Sequence, residues 1–247
     1  MMAKYAISCL VVTCLLAMAG AACSSALDVG TNIVDAGDAG DAKKDVEDHA
    51  TIGPPDAKRM FVTGAAYTAD LATQGRGESA SPEKDPGADG ADKLCTTAAA
   101  AAHLGGMWRA WISSYASDKD AGAGAHHAID RIADVPGGWY NVRRTARLFA
   151  NKSNLMTVPD VREWHAGLEG PSFVQDEYGN RIADGIFVWT GTDSGGQLDR
   201  DGATCKAWTS ASNANAQVGA PAGAPNEWTD WTSNPCERRG HLYCFEQ

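Results

Sequence analysis

Two pairs of side chains have spacings that could serve a metal ion. Asp199 and Asp201 stand two positions apart before a glycine, as acidic ligands do in many calcium loops. His126 and Asp130 stand four positions apart, as metal ligands on one face of a helix do. The alternative for the first pair is a polar turn, and for the second a solvated turn. We expect no cofactor to be required, with Asp199 and Asp201 as the residues to examine first for calcium.

Sequence patterns of common catalytic sites are missing. The chain contains no GxSxG, HExxH, CxxC or P-loop pattern, which would indicate hydrolase, metallopeptidase, redox or nucleotide chemistry. The cysteines of the later part of the chain (Cys95, Cys205, Cys236 and Cys244) are better explained as disulfide partners than as nucleophiles. Four cysteines allow three pairings, and the sequence by itself does not select one. We therefore expect a protein that is not an enzyme.

The first 22 residues have the pattern of an export signal. Lys4 precedes an apolar run from Ala6 to Ala19 that is short for a membrane span, and small residues then lead to Cys23. This ending, AGAAC, resembles the lipobox of bacterial lipoproteins, in which the cysteine carries lipid and becomes the mature N-terminus. The alternative is an ordinary signal cleaved near Ala21 or Ala22. Lipid on Cys23 would also explain one odd cysteine beside four that can pair.

Composition divides the rest of the chain at about residue 57. Between Ser24 and Asp56, eight acidic residues and two lysines leave a net charge of -6, and aromatic residues are missing. Such a segment buries too little apolar surface to fold, so residues 23–57 are predicted to be a disordered acidic tether. All eight tryptophans follow, which predicts one folded domain at residues 58–247. The formal charge of the whole chain, -10, argues against nucleic acid as a partner.

Hydrophobic patterns in the domain predict few helices and several short strands. Apolar runs predict strands at residues 60–63, 107–113, 185–192 and 241–246. An alanine-rich run predicts a helix at residues 91–104, with Asp89 as its N-cap and glycines after its end. Residues 65–89 are rich in glycine, serine, proline and charge, which favours a loop. The predicted fold class is α+β.

The order of motifs in the last third of the domain is specific. Trp189-Thr190-Gly191 ends a strand, Cys205 follows a polar loop, and Trp228-Thr229-Asp230 precedes Cys236 and Cys244. This order resembles the C-type lectin-like fold, and the domain is similar to endostatin-like domains of bacterial lipoproteins, mostly of unknown function. The resemblance implies short twisted antiparallel sheets, one or two helices, long loops and two nested disulfides. The implied bonds are Cys95–Cys244 and Cys205–Cys236.

The same resemblance bears on ligand binding. Sugar-binding members of this fold hold calcium with a Glu-Pro-Asn-like triplet, which lies before the cysteine that corresponds to Cys205. The Asn and Asp of a Trp-Asn-Asp strand complete the calcium site. The loop of residues 193–204 lacks such a triplet, and Thr229 stands where the ligand Asn would be. The resemblance therefore implies that the calcium-dependent sugar site is absent. The candidate ligand-binding residues are Trp208, Trp228, Asp230 and Glu227.

The sequence thus predicts a membrane-anchored extracytoplasmic module that binds a protein or a glycan. Ser24 follows Cys23, whereas lipoproteins kept in the inner membrane usually carry Asp there, so we expect the outer membrane or the cell surface. The alternative location is soluble and secreted. The alternative functions are a structural envelope lipoprotein without a soluble ligand and an enzyme on a lectin-like fold.

Replacing Cys23 with alanine tests the anchor. We expect the wild-type protein to fractionate with membranes and Cys23→Ala to appear in the soluble periplasmic or secreted fraction, because acyl chains are what hold such a protein to the bilayer. Mass spectrometry of the mature N-terminus measures the acyl groups directly. Equal fractionation of the two proteins, with no acyl mass on the wild type, would show that the anchor is wrongly assigned.

Overall fold

The computed structural model describes residues 54–76, 85–115, 124–155, 174–201, 203–212, 214–223 and 227–247. The export signal, Cys23 and the acidic segment up to residue 53 lie outside these ranges. The described residues belong to one compact unit, His49–Gln247. Within them, no helix combines the length and the apolar character that crossing a bilayer requires.

Short strands and few helices make up the described residues, which have a mixed α+β fold. The strands are β1 (Lys58–Val62), β2 (Trp108–Ala110), β3 (Ser114–Tyr115), β4 (Ala125–His126), β5 (Trp139–Tyr140), β6 (Arg147–Phe149), β7 (Val188–Trp189), β8 (Asn215–Gly219), β9 (Thr232–Pro235) and β10 (Tyr243–Glu246). The helical segments are α1 (Leu71–Arg76), α2 (Pro86–Ala101), α3 (Ala128–Arg131), a 3-10 helix (Lys152–Leu155) and α4 (Cys205–Trp208). The predicted strands at 60–63 and 241–246 correspond to β1 and β10, and those at 107–113 and 185–192 shorten to β2 and β7.

The main sheet has the strand order β2-β10-β1-β5-β6. The last strand, β10, lies antiparallel between β1 and β2, with Cys244 opposite Phe61 on one side and Ala110 on the other. The first strand, β1, also pairs in parallel with β5. A second sheet has the order β7-β8-β9, and β3 and β4 form a separate hairpin. The two ends of the domain are therefore neighbours in the middle of the main sheet.

Apolar cores cover both faces of the main sheet, because side chains alternate along each strand. Phe61 and Cys244 belong to the core that also contains the buried face of α2. Their neighbours on the same two strands belong to the opposite core, namely Met60, Val62, Tyr243 and Phe245. The buried tryptophans divide similarly, with Trp108, Trp189 and Trp208 in the first core and Trp111, Trp139 and Trp228 in the second.

Helix α2 begins earlier than the sequence predicted. Its N-cap is Asp85, whose Oδ1 accepts the Ala88 N–H at 3.1 Å, and the predicted cap Asp89 lies inside the first turn. The sequence did not predict this start because it contains two glycines, which lower helix propensity. Close packing nevertheless requires glycine at both positions. A Cβ on Gly87 would lie 2.0 Å from Ala207 O, and one on Gly90 would lie 2.3 Å from Leu71 O. The predicted loop at 65–89 likewise contains helix α1.

Two disulfides join distant parts of the domain. Cys95 of α2 bonds to Cys244 of β10, and Cys205 of α4 bonds to Cys236 after β9. The nested pairing that the lectin-like resemblance implied is confirmed. Two such bonds are typical of proteins that mature in an oxidising compartment, so they indicate an extracytoplasmic protein.

Helix α4 is a single turn of left-handed helix. All four of its residues have φ between 49° and 60°, although none is glycine. Left-handed backbone costs roughly 1–2 kcal/mol for each such residue. Local bonds hold the turn, because the Trp208 N–H donates to Thr204 O at 2.7 Å and the Trp208 indole donates to Ser113 O at 2.8 Å. The Cys205 disulfide fixes its first residue.

Removing each disulfide separately should destabilise the domain unequally. The loop that Cys95–Cys244 closes is much longer than that of Cys205–Cys236, with sequence separations of 149 and 31. Loop-closure entropy gives upper values of about 5 and about 4 kcal/mol. We expect Cys95→Ala/Cys244→Ala to loosen the whole domain and Cys205→Ala/Cys236→Ala to loosen mainly α4 and the β8–β9 region. Denaturant unfolding and amide exchange measure this, and global loosening by the second variant alone would contradict it.

Candidate functional site

The second sheet presents one polar face at the β8–β9 hairpin. Gln217 lies on β8 opposite Ser233, and Asp230 and Trp231 immediately precede β9. The Trp231 N–H donates to Val218 O at 2.9 Å, which extends the hairpin pairing to this tryptophan. We call Gln217, Asp230 and Trp231 the hairpin site.

A buried network of hydroxyl groups holds Thr229, the residue that precedes Asp230 of the hairpin site. The Trp111 indole donates to Thr229 Oγ1 at 2.7 Å, and the Thr190 hydroxyl donates to Thr229 O at 2.7 Å. Thr192 adds a bond between its hydroxyl and that of Thr229. Thr229 is fully buried, so its hydroxyl serves the core rather than a ligand. The network fixes the position of Thr229 and thereby the backbone at Asp230, the next residue.

Asp230 is a half-buried carboxylate in an acidic neighbourhood. Its Oδ1 accepts the Gln217 side-chain amide at 2.6 Å, and it also accepts the Ser194 backbone N–H. Burial raises the pKa of Asp230, and repulsion from Asp199 and Asp193 adds to this, against those two hydrogen bonds. The carboxylate is thus held in place at an electrostatic cost, as is common in groups kept for binding.

Trp231 follows Asp230 directly in the chain and has an exposed aromatic side chain. Its side chain is 47% exposed, whereas the other tryptophans in the described ranges are at most 3% exposed. An exposed indole one position along the chain from a hydrogen-bonded carboxylate and amide supplies an apolar ring face in the same region as hydrogen-bonding groups. This combination can bind a ligand that has both an apolar face and polar substituents.

The predicted ligand-binding residues divide into two groups. Trp208 is fully buried and Trp228 is 3% exposed, so neither ring has a face available to a ligand. Trp208 packs on Trp189 with ring centroids 5.9 Å apart. Asp230 belongs to the hairpin site, and Glu227 is half-buried nearby, where its carbonyl accepts the Ala220 N–H at 2.8 Å.

Trp231 was not among the predicted ligand-binding residues. A sequence signal for it exists in retrospect, because Thr232 and Ser233 begin an edge strand with two exposed polar residues. Consecutive polar residues lie on opposite faces of a strand, so two of them at the start of β9 indicate that this end of the strand is exposed on both faces. Trp231 directly precedes this end.

The predicted metal ligands are not gathered into a site. Asp199 lies near Asp230, as their repulsion shows, and Asp201 is exposed. His126 Nδ1 lies 2.7 Å from Asp85 Oδ2 rather than beside Asp130, which is exposed. Across the described ranges, no three or more His, Cys, Asp or Glu side chains are arranged to hold a metal ion.

Comparisons with known proteins add no family to this geometry. No protein-family model matches the chain, and a search of curated proteins found no match. The role of the hairpin site is therefore argued from its own chemistry.

Neutralising Asp230 should stabilise the domain at neutral pH. The pKa of the Asp230 carboxyl is raised in the folded state from its ordinary value of 3.8. The domain therefore loses stability as the pH rises from 3.8 through the folded-state pKa, and the whole loss persists at higher pH. We expect Asp230→Asn, which keeps the oxygen that accepts from Gln217, to melt higher than wild type near pH 7. The difference should vanish near pH 3, where both states bind the proton.

Asp201→Asn is the matched control, because Asp201 is exposed and should change the melting temperature little at either pH. Thermal melts of the three proteins across this pH range measure the effect. An Asp230→Asn protein that melts lower than wild type at pH 7 would contradict the cost of ionising this carboxyl.

Proposed function

We propose that the protein is an extracytoplasmic binding module that recognises a glycan at the hairpin site. The observation that carries this proposal is the exposure of Trp231 beside Asp230. A sugar ring has an apolar face of C–H groups, which an indole can cover, and a rim of hydroxyls. The Asp230 carboxylate accepts bonds from such hydroxyls, and the Gln217 amide can both donate and accept.

Rigidity of the hairpin site supports this role. The bond between Gln217 and Asp230, at 2.6 Å, orients both polar groups before any ligand arrives. Thr229 is locked by Trp111 and two neighbouring hydroxyls, and the Cys205–Cys236 bond closes the same region of the chain. Side chains that are already ordered lose little entropy on binding, which favours affinity from a small contact area.

The sequence supports the setting in which this module would act. The lipobox-like ending at Cys23 would attach the mature chain to a membrane, and residues 23–57 would hold the domain at a distance from it. The order of cysteines and of the two tryptophan motifs supports a lectin-like relationship for the domain. The module would then display the hairpin site at the outer membrane or the cell surface.

A glycan array probed with the mature protein tests the proposal. We expect binding to at least one class of glycan, with Trp231→Ala weakening it by about tenfold or more, equivalent to about 1.4 kcal/mol. Asp230→Ala should also weaken it, because a hydroxyl partner is lost. Met107→Ala is the matched control, because Met107 is another strongly exposed apolar side chain, at 72%, and lies outside the hairpin site.

Binding should persist in a chelator, because Thr229 is committed to the core and the hairpin site offers one carboxylate. Absence of glycan binding, or glycan binding that Trp231→Ala leaves unchanged, would contradict the proposal. Glycan binding that requires calcium would contradict the expected calcium independence, and Asp199 and Asp201 would then be the first residues to mutate.

A further inference from the structure

Two further carboxylates lie near the hairpin site, at the two ends of a tight loop. They belong to Asp193 and Asp199, and we call residues 193–199 the 193–199 loop. Resting on the proposed glycan function, we infer that the hairpin site selects a sugar with a free, protonated amine, which Asp193, Asp199 and Asp230 together attract.

Hydrogen bonds within the 193–199 loop give it a fixed shape. The Asp193 N–H donates to Gln197 O at 2.9 Å, and the Gly196 N–H donates to Asp193 O at 3.0 Å. Asp193 Oδ1 accepts two more N–H groups, those of Gly195 and Gln197, each at 2.9 Å. The Asp193 carboxylate is therefore held in position before any ligand arrives, which lowers the entropy lost on binding.

Both ends of the loop are bonded towards Asp230. Near its start, the Ser194 backbone N–H donates to the Asp230 carboxylate. At its end, the Asp199 N–H donates to Gly191 O at 3.0 Å, and the Gly191 N–H donates to Gln217 O at 3.0 Å. The Gln217 side chain then donates to Asp230 Oδ1 at 2.6 Å. These short series of hydrogen bonds bring the three carboxylates into one region.

Helix α3 and the residue before it hold the loop as well. The Leu198 N–H donates to His127 Nδ1 at 2.9 Å, and the Ile129 N–H donates to Gly196 O at 3.1 Å. The loop is thus bonded both to α3 and to the hairpin site. A ligand therefore meets a preformed group of negative charges.

The three carboxylates form a negative region without a paired cation. Asp193, Asp199 and Asp230 are each half-buried, and none of them forms an ion pair with a described Lys, Arg or His. Burial raises the pKa of Asp230, and repulsion from Asp199 and Asp193 raises it further. A positive group placed among these carboxylates offsets their repulsion, so a cationic ligand gains an attraction that a neutral one lacks.

An amino sugar suits this region better than an acidic sugar or a metal ion. An ammonium group donates three hydrogen bonds, which carboxylates accept, whereas an acidic sugar would add a fourth negative charge and be repelled. A divalent metal ion needs several ligand atoms that converge on one point. In the described ranges, no three or more His, Cys, Asp or Glu side chains are arranged in that way. The exposed indole of Trp231 offers a surface to the sugar ring and also attracts cations.

Binding of paired oligosaccharides to the mature protein tests amine selection. The pairs are based on glucosamine, galactosamine and mannosamine, and the two members of each pair differ only in whether the amine is free or acetylated. At about pH 6, where such amines are protonated, at least one free-amine member should bind about tenfold more tightly than its acetylated partner. High salt should reduce this preference, because it screens the charges.

A charge-matched pair of variants separates the local effect from the negative charge of the whole chain. Asp199→Asn and Asp134→Asn each remove one charge, but Asp134 is exposed and lies outside the 193–199 loop. Asp199→Asn should reduce the preference for the free amine about threefold, as expected for one half-exposed ion pair, and Asp134→Asn should leave it as in wild type. Asp193→Asn, which keeps the oxygen that accepts two N–H groups, should act as Asp199→Asn does.

Failure of amine selection and failure of the glycan function give different results. Binding of neutral, acetylated or acidic glycans without a preference for the free amine overturns amine selection alone. Absence of binding to every glycan overturns the proposed function itself. Equal effects of Asp199→Asn and Asp134→Asn, or equally tight binding of an oligolysine with the same number of amines, would show that only overall charge is sensed and would also overturn amine selection.

Discussion

The position of β10 inside the main sheet, between β1 and β2, is the constraint on which the rest of the domain depends. Two strands bond to its edges, and the Cys95–Cys244 disulfide ties it to α2. Because its side chains alternate, Cys244 enters one core and Tyr243 and Phe245 enter the other. A single four-residue strand thereby couples the two cores. Through the Tyr243 hydroxyl, which donates to Trp228 O at 2.7 Å, it also contacts the backbone two residues before Asp230.

The hairpin site is a region where the fold accepts an unfavourable local state and holds it rigidly. It keeps the Asp230 carboxyl near two other carboxylates, Asp193 and Asp199. The left-handed turn α4 is a second unfavourable local state, and Trp208 at its end packs against Trp189. Hydrogen bonds and packing in the core supply the compensating stability.

Sequence reasoning predicted the parts of this fold that follow local pattern or motif order. The terminal strand, the body of α2 and the disulfide pairing belong here, the last through resemblance to lectin-like domains. The start of α2 escaped because Gly87 and Gly90 read as a loop, although tertiary packing leaves no space for a Cβ there. The left-handed turn escaped because nothing in Cys-Lys-Ala-Trp signals positive φ. Trp231 and Trp228 are alike in type, and only the edge position of β9 separates their burial.

The adjacency of β1 and β10 has a consequence for the order of events during biogenesis. Phe61 meets its partner Cys244 only when nearly the entire chain is present, and the α2 disulfide spans 149 positions. Such distant contacts make for slow folding, because the chain closes a long loop before any of them forms. A nascent chain that lacks residues 243–246 therefore has neither β10 nor the long covalent link. The main sheet of the domain is therefore completed late, only after the residues of β10 are available to pair with β1 and β2.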